Sequence, residues 1–148
     1  IMSYHRILVP VDDSPLSDAA VKHAVDVAKA FNSSVTVMSL VAVDPFVGVD
    51  FYKVAPAVTE HLFEAETNAE AHLQKISDFF SSNGIETNTK IIREEPTAIG
   101  ILNIADEVNA DLIIMGSHGR SGLKKLVLGS VAQKVLAESP VPVLIVKA

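Results

Sequence analysis

Residues 111–130 read DLIIMGSHGRSGLKKLVLGS, and this stretch decides the fold because an apolar run ends abruptly at a glycine. The run Leu112–Met115 is short, continuous and bounded by turn residues, which predicts a strand buried on both faces. Gly116 then lies where that strand leaves its sheet. A strand of this kind belongs to a parallel sheet covered by helices.

The glycines after this strand are spaced as a possible phosphate cradle. Gly119 follows Gly116 by three residues, and nine more residues separate it from Gly129 and Ser130. We predict Ser130 as the N-cap of a helix over residues 131–138, and a helix N-terminus offers unpaired N–H groups to an anion. Glycines at such positions also occur in plain turns, so the spacing alone leaves both interpretations open. The pattern is neither GxGxxG nor GxxxxGK[ST].

The pattern Gly116-x2-Gly119-x9-Gly129-Ser130 resembles the ATP-binding signature of the universal stress protein family. The opening stretch Ile7–Asp12, ILVPVD, and the closing stretch Val141–Val146, VPVLIV, are similar to that family's first and last strands. The resemblance covers the whole chain, and we expect residues 1–148 to form one domain.

The order of apolar runs and helical patterns predicts five strands alternating with four helices. Besides the strand at Leu112, runs at His5–Val11, Val35–Val43 and Val143–Lys147 predict strands, and Glu86–Arg93 has the mixed polarity of an exposed edge strand. Right-handed crossovers make this an α/β fold, an open parallel sheet with helices on both faces. The resemblance implies the strand order 3-2-1-4-5 of Rossmann-like, adenine nucleotide alpha hydrolase-like proteins. A ligand would then bind between strands one and four, at their carboxyl ends.

The helical segments have recognisable starts, stops and inward faces. Ser14 and Pro15 predict a cap and a first helical position, and Asn83-Gly84 ends the long helix marked by apolar residues from Val58 to Phe80. The third helix is predicted to turn four residues inward: Ile99, Leu102, Ala105 and Val108. Val43–Pro56 shows no period and predicts a long loop, a candidate lid whose Phe46, Phe51 and Tyr52 could pack on a base, on a partner or merely on the core.

Asp12 ends the first strand and is the leading polar candidate of the site. Its carboxylate could accept from a ribose hydroxyl or help to hold Mg²⁺ on phosphates, since hard cations take carboxylate and phosphate oxygens. The alternative is a turn-forming residue with no ligand. The resemblance supports the functional role for Asp12, whereas Asp13 stands where the family often has glycine.

The resemblance also implies the remaining cofactor-binding residues. Val41 and Met115 would lie against the adenine, and Pro10 and Val11 would line the nucleoside pocket, although all four could equally be plain core. The residues implied around the phosphates are Gly116, His118, Gly119, Arg120, Gly129, Ser130 and Val131.

Other charged and titratable residues give weaker hypotheses. Of Arg120, Lys124 and Lys125 in the glycine spacer, we expect at most one to contact phosphate, because loop charges are usually solvated. His61 and His72 lie on one helix face but roughly 16 Å apart, too far to share a metal. Neither a catalytic triad nor a G-x-S-x-G elbow is present, since Leu123 stands at the last position of that motif.

Composition excludes several classes of function. The chain has 148 residues, 49% of them hydrophobic, with 12 Lys and Arg against 18 Asp and Glu, for a net charge of -6. This charge argues against a nucleic-acid partner. The absence of cysteine excludes disulfides, zinc-thiolate sites and thiol catalysis. No apolar run reaches the ~18 residues of a membrane span, so we expect no membrane insertion and a cytoplasmic protein.

The resulting hypothesis is a module that binds ATP, or ADP or AMP, with Mg²⁺, and that acts in regulation or interaction with an unidentified protein partner. Hydrolysis should be slow at most. One alternative is a phosphoreceiver domain, suggested by Asp12-Asp13 after the first strand, but the third strand ends in Glu94-Glu95-Pro96 and the fourth in Met115-Gly116, without an acceptor aspartate. Another is a weak ATPase or nucleotide-transferring enzyme, for which no base or arginine finger can be named.

The last strand predicts how the chain assembles. Val141–Val146 is apolar at nearly every position, yet the implied strand order leaves it at the sheet edge, where unpaired backbone groups invite another chain. We therefore expect a homodimer through this strand, paired about a two-fold axis, and two such dimers could form a tetramer.

Overall fold

The computed structural model describes residues 3–12, 14–41, 51–93, 97–117 and 128–147, except the side chains of residues 40, 41, 51–63, 65, 66 and 93. Within these ranges, strands and helices alternate along the chain, as the sequence pattern predicts. In order they are β1 (Arg6–Val11), α1 (Pro15–Phe31), β2 (Ser34–Val41), α2 (Phe51–Ser82), β3 (Thr87–Arg93), α3 (Thr97–Glu107), β4 (Leu112–Gly116), α4 (Ser130–Glu138) and β5 (Val143–Val146).

The five strands form one parallel sheet in the order β3-β2-β1-β4-β5, which confirms the predicted fold class and strand order. The order reverses at β1, because the chain moves outward through β2 and β3 and then returns to β4 on the other side. β3 and β5 are the two edges.

Two hydrophobic clusters cover the two faces of the sheet. On one face α1 and α2 pack on alternate residues of the strands, with Phe80, Val37 and Ile114 fully buried. On the other face α3 and α4 pack on the intervening residues, with Leu8, Met38 and Ile113 at the centre. The near-continuous apolar runs of β1 and β4 follow from this, since strands covered on both faces bury both sets of side chains.

The ends of the first two helices follow the local chemistry of the sequence. Ser14 is the N-cap of α1 and its side chain accepts from the Ser17 amide, while Pro15 occupies the first turn. Asn32 ends α1 in the left-handed conformation at φ 55°. Gly84 follows α2 at φ 77°, a value that glycine adopts without the steric cost of a Cβ atom.

The predicted cap of α4 is wrong by one residue. Ser130 is the first residue of the helix, and Gly129 is the N-cap, with extended φ and ψ of -62° and 157° and no side-chain cap bond. Serine is preferred over glycine at N-caps, but here the Gly129 amide donates to the Ser117 carbonyl, a tertiary contact that fixes Gly129 before the helix starts.

The inward face predicted for α3 is wrong at Ile99. This side chain is 39% exposed, whereas Ala98, Ile101 and Ile104 are buried. Leu102 and Val108 are partly buried and contact the same core cluster. The helix is apolar on most of its circumference, so residue spacing alone does not identify one buried stripe.

The predicted loop over Val43–Pro56 is also partly wrong, because α2 already begins at Phe51. The remaining residues 42–50 lie outside the described part of the chain, as does Phe46. Among the described side chains of α2, Leu73, Ile76 and Phe80 are buried in the core. The apolar period in the sequence begins only at Val58, so it does not locate the turns of the helix before that residue.

Candidate functional site

The ladder between β1 and β4 stops before either strand ends. Pairing covers Ile7 with Leu112 and Leu8 with Ile113, although β1 continues to Val11 and β4 to Gly116. The Asp111 amide donates to the Arg6 carbonyl, so Arg6 directs its backbone groups toward β4. Every second residue of β1 after Arg6, including Pro10, does the same, because alternate residues of a strand face the same neighbouring strand. Proline has no N–H to donate at that position. Pro10 therefore explains why the pairing of these two strands stops before their carboxyl ends, which is where open α/β sheets have their ligand crevice.

Asp12 directly follows β1 at this end of the sheet and is held in a tight turn. Its Oδ1 accepts from the Ser14 amide at 2.9 Å and from the Ser17 hydroxyl at 2.8 Å. The Ser17 hydroxyl oxygen in turn accepts from the Asp12 amide at 2.8 Å. The turn-forming role considered for Asp12 is thus present. Among the described residues none donates to the second carboxylate oxygen, Oδ2, which leaves it for a ligand.

The carbonyl of Asp12 makes a further contact with a distant helix. Nε2 of His72, in α2, lies 3.0 Å from the Asp12 carbonyl oxygen. A carbonyl can only accept, so the imidazole carries its proton on Nε2 and donates it. The main chain at the end of β1 is therefore fixed by α1 through Ser17 and by α2 through His72.

Two backbone hydrogen bonds join the residue after β4 to the end of β5 and to the start of α4. The Ser117 amide donates to the Val146 carbonyl at 2.9 Å, and the Gly129 amide donates to the Ser117 carbonyl at 2.8 Å. These bonds bring Gly116 and Gly129, which are far apart in the sequence, to the carboxyl end of the sheet. Continuing the β1–β4 register brings Asp12 level with Ser117.

The amino end of α4 lies at the carboxyl end of the sheet, and its first amides have no hydrogen-bond partner within the helix. The first intrahelical bond runs from the Gln133 amide to the Gly129 carbonyl at 3.0 Å, so the amides of Ser130, Val131 and Ala132 precede it and have no partner within the helix. The Gln133 side chain donates to the Leu128 carbonyl and fixes the chain that enters the helix. Three amides and the positive end of the helix dipole form a group that suits an anion.

The apolar residues predicted for a nucleoside pocket do not all share one side of the sheet. Met115 is buried with α3 and α4, and strand alternation places Pro10 on that same face with Leu8. Val11 packs instead with α1 and α2, so the sheet separates it from Met115. Val131 contacts the α3 and α4 cluster.

Several predicted residues lie outside the described part of the chain. These are His118, Gly119, Arg120, Lys124 and Lys125. Val41 ends β2 at the carboxyl edge of the sheet, and its side chain is not described, nor is that of His61.

Sequence reasoning missed the residues that hold the site together. Ser17 and His72 hold Asp12 through their side chains, and Ser117 acts through its backbone amide and carbonyl. Only Ser17, three residues after a capping serine, has any local signal in the sequence. Asp111 was also missed. Its carboxylate accepts from the amides of His5 and Arg6 and so fixes the amino end of β1, at the opposite end of the sheet from the site.

Other candidate sites are less suitable. Among the described residues, no group of three or more His, Asp or Glu side chains could hold a metal by itself. A polar cavity of about 720 Å³ lies near the amino ends of β1, β2 and β3, with Arg6, Ser34 and Thr87 in its lining, and it contains none of the predicted site residues. In the described ranges, no helix is long and apolar enough to cross a membrane.

The chain is similar in sequence to the members of one protein family. The model of the universal stress protein family matches residues 3–147. The universal stress protein MJ0531 of Methanocaldococcus jannaschii is 36% identical over 144 residues, which are 97% of this chain and 82% of that protein.

Solved structures have the same fold. The structure of the hypothetical protein MJ0577 superposes with a TM-score of 0.86 at 28% identity, over 99% of this chain and 98% of that one. A universal stress protein in complex with cAMP superposes with a TM-score of 0.67 at 27% identity, over 99% of this chain and 98% of that one.

Proposed function

The chain belongs to the universal stress protein family, and we propose that it binds ATP at the carboxyl edge of the sheet, between β1 and β4, as a regulatory or interaction module. The observation that carries this proposal is the bond from the Gly129 amide to the Ser117 carbonyl, because it sets the start of α4 beside the carboxyl end of β4, where its pairing with β1 has stopped. Phosphates would bind the amides of Ser130, Val131 and Ala132. The Ser130 hydroxyl is spared from capping and is free to join them.

The binding free energy requires a contribution from the base as well. Three charge-assisted N–H bonds at ~1.5–3 kcal/mol each supply about 5–9 kcal/mol, whereas association costs ~4–15 kcal/mol. The adenine must therefore bury apolar surface, and we assign Met115 and Pro10, which share one face of the sheet, to it. The cAMP complex of the 27% identical relative supports an adenine nucleotide as the ligand class. ADP and AMP, which share the base and ribose, remain possible physiological ligands.

Magnesium would accompany the phosphates through Asp12. Oδ2 of Asp12 would help to hold the ion together with phosphate oxygens and water, which are the usual ligands of Mg²⁺ bound with a nucleotide. Bound there, the ion would neutralise phosphate charge. The absence of a multi-carboxylate cluster among the described residues fits an ion carried mainly by its nucleotide.

Hydrolysis should be slow because no general base can be assigned among the described residues of the site. Nε2 of His72 donates to the Asp12 carbonyl and cannot at once accept a proton there. We expect turnover well below the ~10 s⁻¹ typical of enzymes. ATP would then act as a ligand that stabilises one conformation and raises Tm by mass action.

We also propose a cytoplasmic homodimer that pairs through β5, with tetramers as a further assembly. β5 is an edge strand, and its Leu144 is 40% exposed between the half-buried Val143 and Ile145. Pairing with a second copy would satisfy the open backbone edge and cover this leucine. A protein partner, whose identity the chain does not reveal, would respond to the nucleotide state.

The test is the substitution Gly129→Val. The backbone angles of Gly129 are ones that valine adopts readily, so the fold and the bond to Ser117 should survive. The new side chain would stand over the phosphate amides and should abolish ATP binding in calorimetry. Lys134→Val, which adds the same side chain to the exposed face of α4, is the control and should bind like the parent. Unchanged ATP affinity in Gly129→Val with native circular dichroism would contradict the phosphate assignment.

A further inference from the structure

His72 joins the candidate site to a helix that contributes nothing else to it in the described chain. It lies in α2, sixty residues from Asp12, and its imidazole is half-buried beside Leu73 of the core. Its bond is made to the carbonyl of Asp12, the residue whose carboxylate is the leading polar candidate of the site. The rest of Asp12 is held locally, by Ser14 and Ser17.

These contacts fix different groups of Asp12 to two different helices. Ser14 and Ser17 fix the amide and Oδ1 relative to α1, so on their own they would let the turn move as a unit with the start of that helix. The bond from His72 fixes the carbonyl relative to α2. With main chain and side chain both held, Oδ2 has one direction, which is the condition for a preformed contact to a ribose or a nucleotide-bound ion.

We propose that His72 is a positioning residue of the nucleotide site: by donating to the Asp12 carbonyl it aligns the Asp12 carboxylate for nucleotide. This inference rests on the proposed function. His72 touches no ligand, and its effect on binding passes through Asp12. Loss of one such bond should weaken ATP binding roughly 3- to 10-fold, the range expected for a single hydrogen bond.

The experiment is a double-mutant cycle measured by calorimetric titration with ATP and Mg²⁺. His72→Leu removes the donor and Asp12→Ala removes the carboxylate, and leucine is also a good helix former. We expect His72→Leu to weaken binding about 3- to 10-fold in the parent, and to have no further effect when Asp12 is already alanine. His72→Gln should restore affinity to within about twofold, since its amide N–H2 can take the place of Nε2–H. The control His23→Leu, on the exposed side of α1, should bind like the parent.

Each outcome distinguishes this inference from the proposed function. If the parent binds ATP and His72→Leu binds equally well, the positioning role is wrong and nucleotide binding stands. If the effects of His72→Leu and Asp12→Ala multiply independently, His72 acts through general stability and the inference is likewise wrong. A parent that binds no nucleotide overturns both. Melting temperatures of all variants, measured in parallel, show whether a folded protein was titrated.

Discussion

Ser17→Ala should destabilise the protein more than an ordinary surface serine would. The Ser17 side chain is only 6% exposed, and its hydroxyl both accepts from the Asp12 amide and donates to Asp12 Oδ1, each at 2.8 Å. Alanine removes both bonds and leaves the half-buried amide without a partner. An unsatisfied buried donor costs ~1–3 kcal/mol. Water can reach the exposed side of Asp12 and replace part of the bond from Ser17 to Oδ1. We therefore expect Ser17→Ala to lower the free energy of unfolding by about 2 kcal/mol.

For a chain of this length, 1 kcal/mol shifts Tm by ~2–4 °C, so Ser17→Ala should lower Tm by about 4–8 °C. Thermal unfolding followed by circular dichroism measures this, with urea unfolding to confirm the change in free energy. Ser82→Ala is the control, since its exposed hydroxyl makes one bond to the Phe79 carbonyl at the end of α2 and should cost less than about 0.5 kcal/mol. A shift below about 1 °C for Ser17→Ala would refute the role of Ser17 in holding the turn.

Three further outcomes follow from the fold. Ser14→Ala should cost about 1 kcal/mol in urea unfolding and Ser130→Ala less than about 0.5, because only Ser14 caps its helix; equal losses would contradict this assignment. Ile101→Ala should lower the free energy of unfolding by ~2–5 kcal/mol and Ile99→Ala by less than about 1 kcal/mol. A larger loss for Ile99→Ala than for Ile101→Ala would show that Ile99, and not Ile101, is the core residue. Leu144→Lys should convert a sedimenting dimer to monomer, and a parent that is already monomeric at micromolar concentration would rule out the β5 interface.

The elements of this fold could be predicted from local patterns, and their ends only in part. Ser14 caps its helix through its own side chain, and Pro15 and Gly84 act through their own backbone conformations, so the sequence locates all three correctly. The sequence predicts the N-cap of α4 at Ser130, one residue too late. The Gly129 amide donates to the Ser117 carbonyl, and residue preferences contain no information about this tertiary contact. The order of strands came from family resemblance, since apolar runs show that strands exist and do not show which are neighbours.

The candidate site could be predicted as a region, and its internal structure could not. The glycine pattern and Asp12 pointed to the carboxyl edge of the sheet, where the structure joins Gly129 to Ser117. The bond of His72 to Asp12 depends on how α2 lies across the sheet, and no spacing in the sequence encodes a contact between residues so far apart. The family resemblance implies one nucleoside pocket for Val11 and Met115, but alternation along the strands puts their side chains on opposite faces of the sheet.

The measurement that tests nucleotide binding most directly is a calorimetric titration of the full chain with ATP and with GTP, both with Mg²⁺. We predict one ATP site per chain and GTP binding at least about tenfold weaker, which corresponds to ~1.4 kcal/mol, because phosphate contacts alone are too few and a pocket shaped for adenine must supply the rest. Equal affinity for the two nucleotides, or no heat of binding with ATP, would contradict the proposed site.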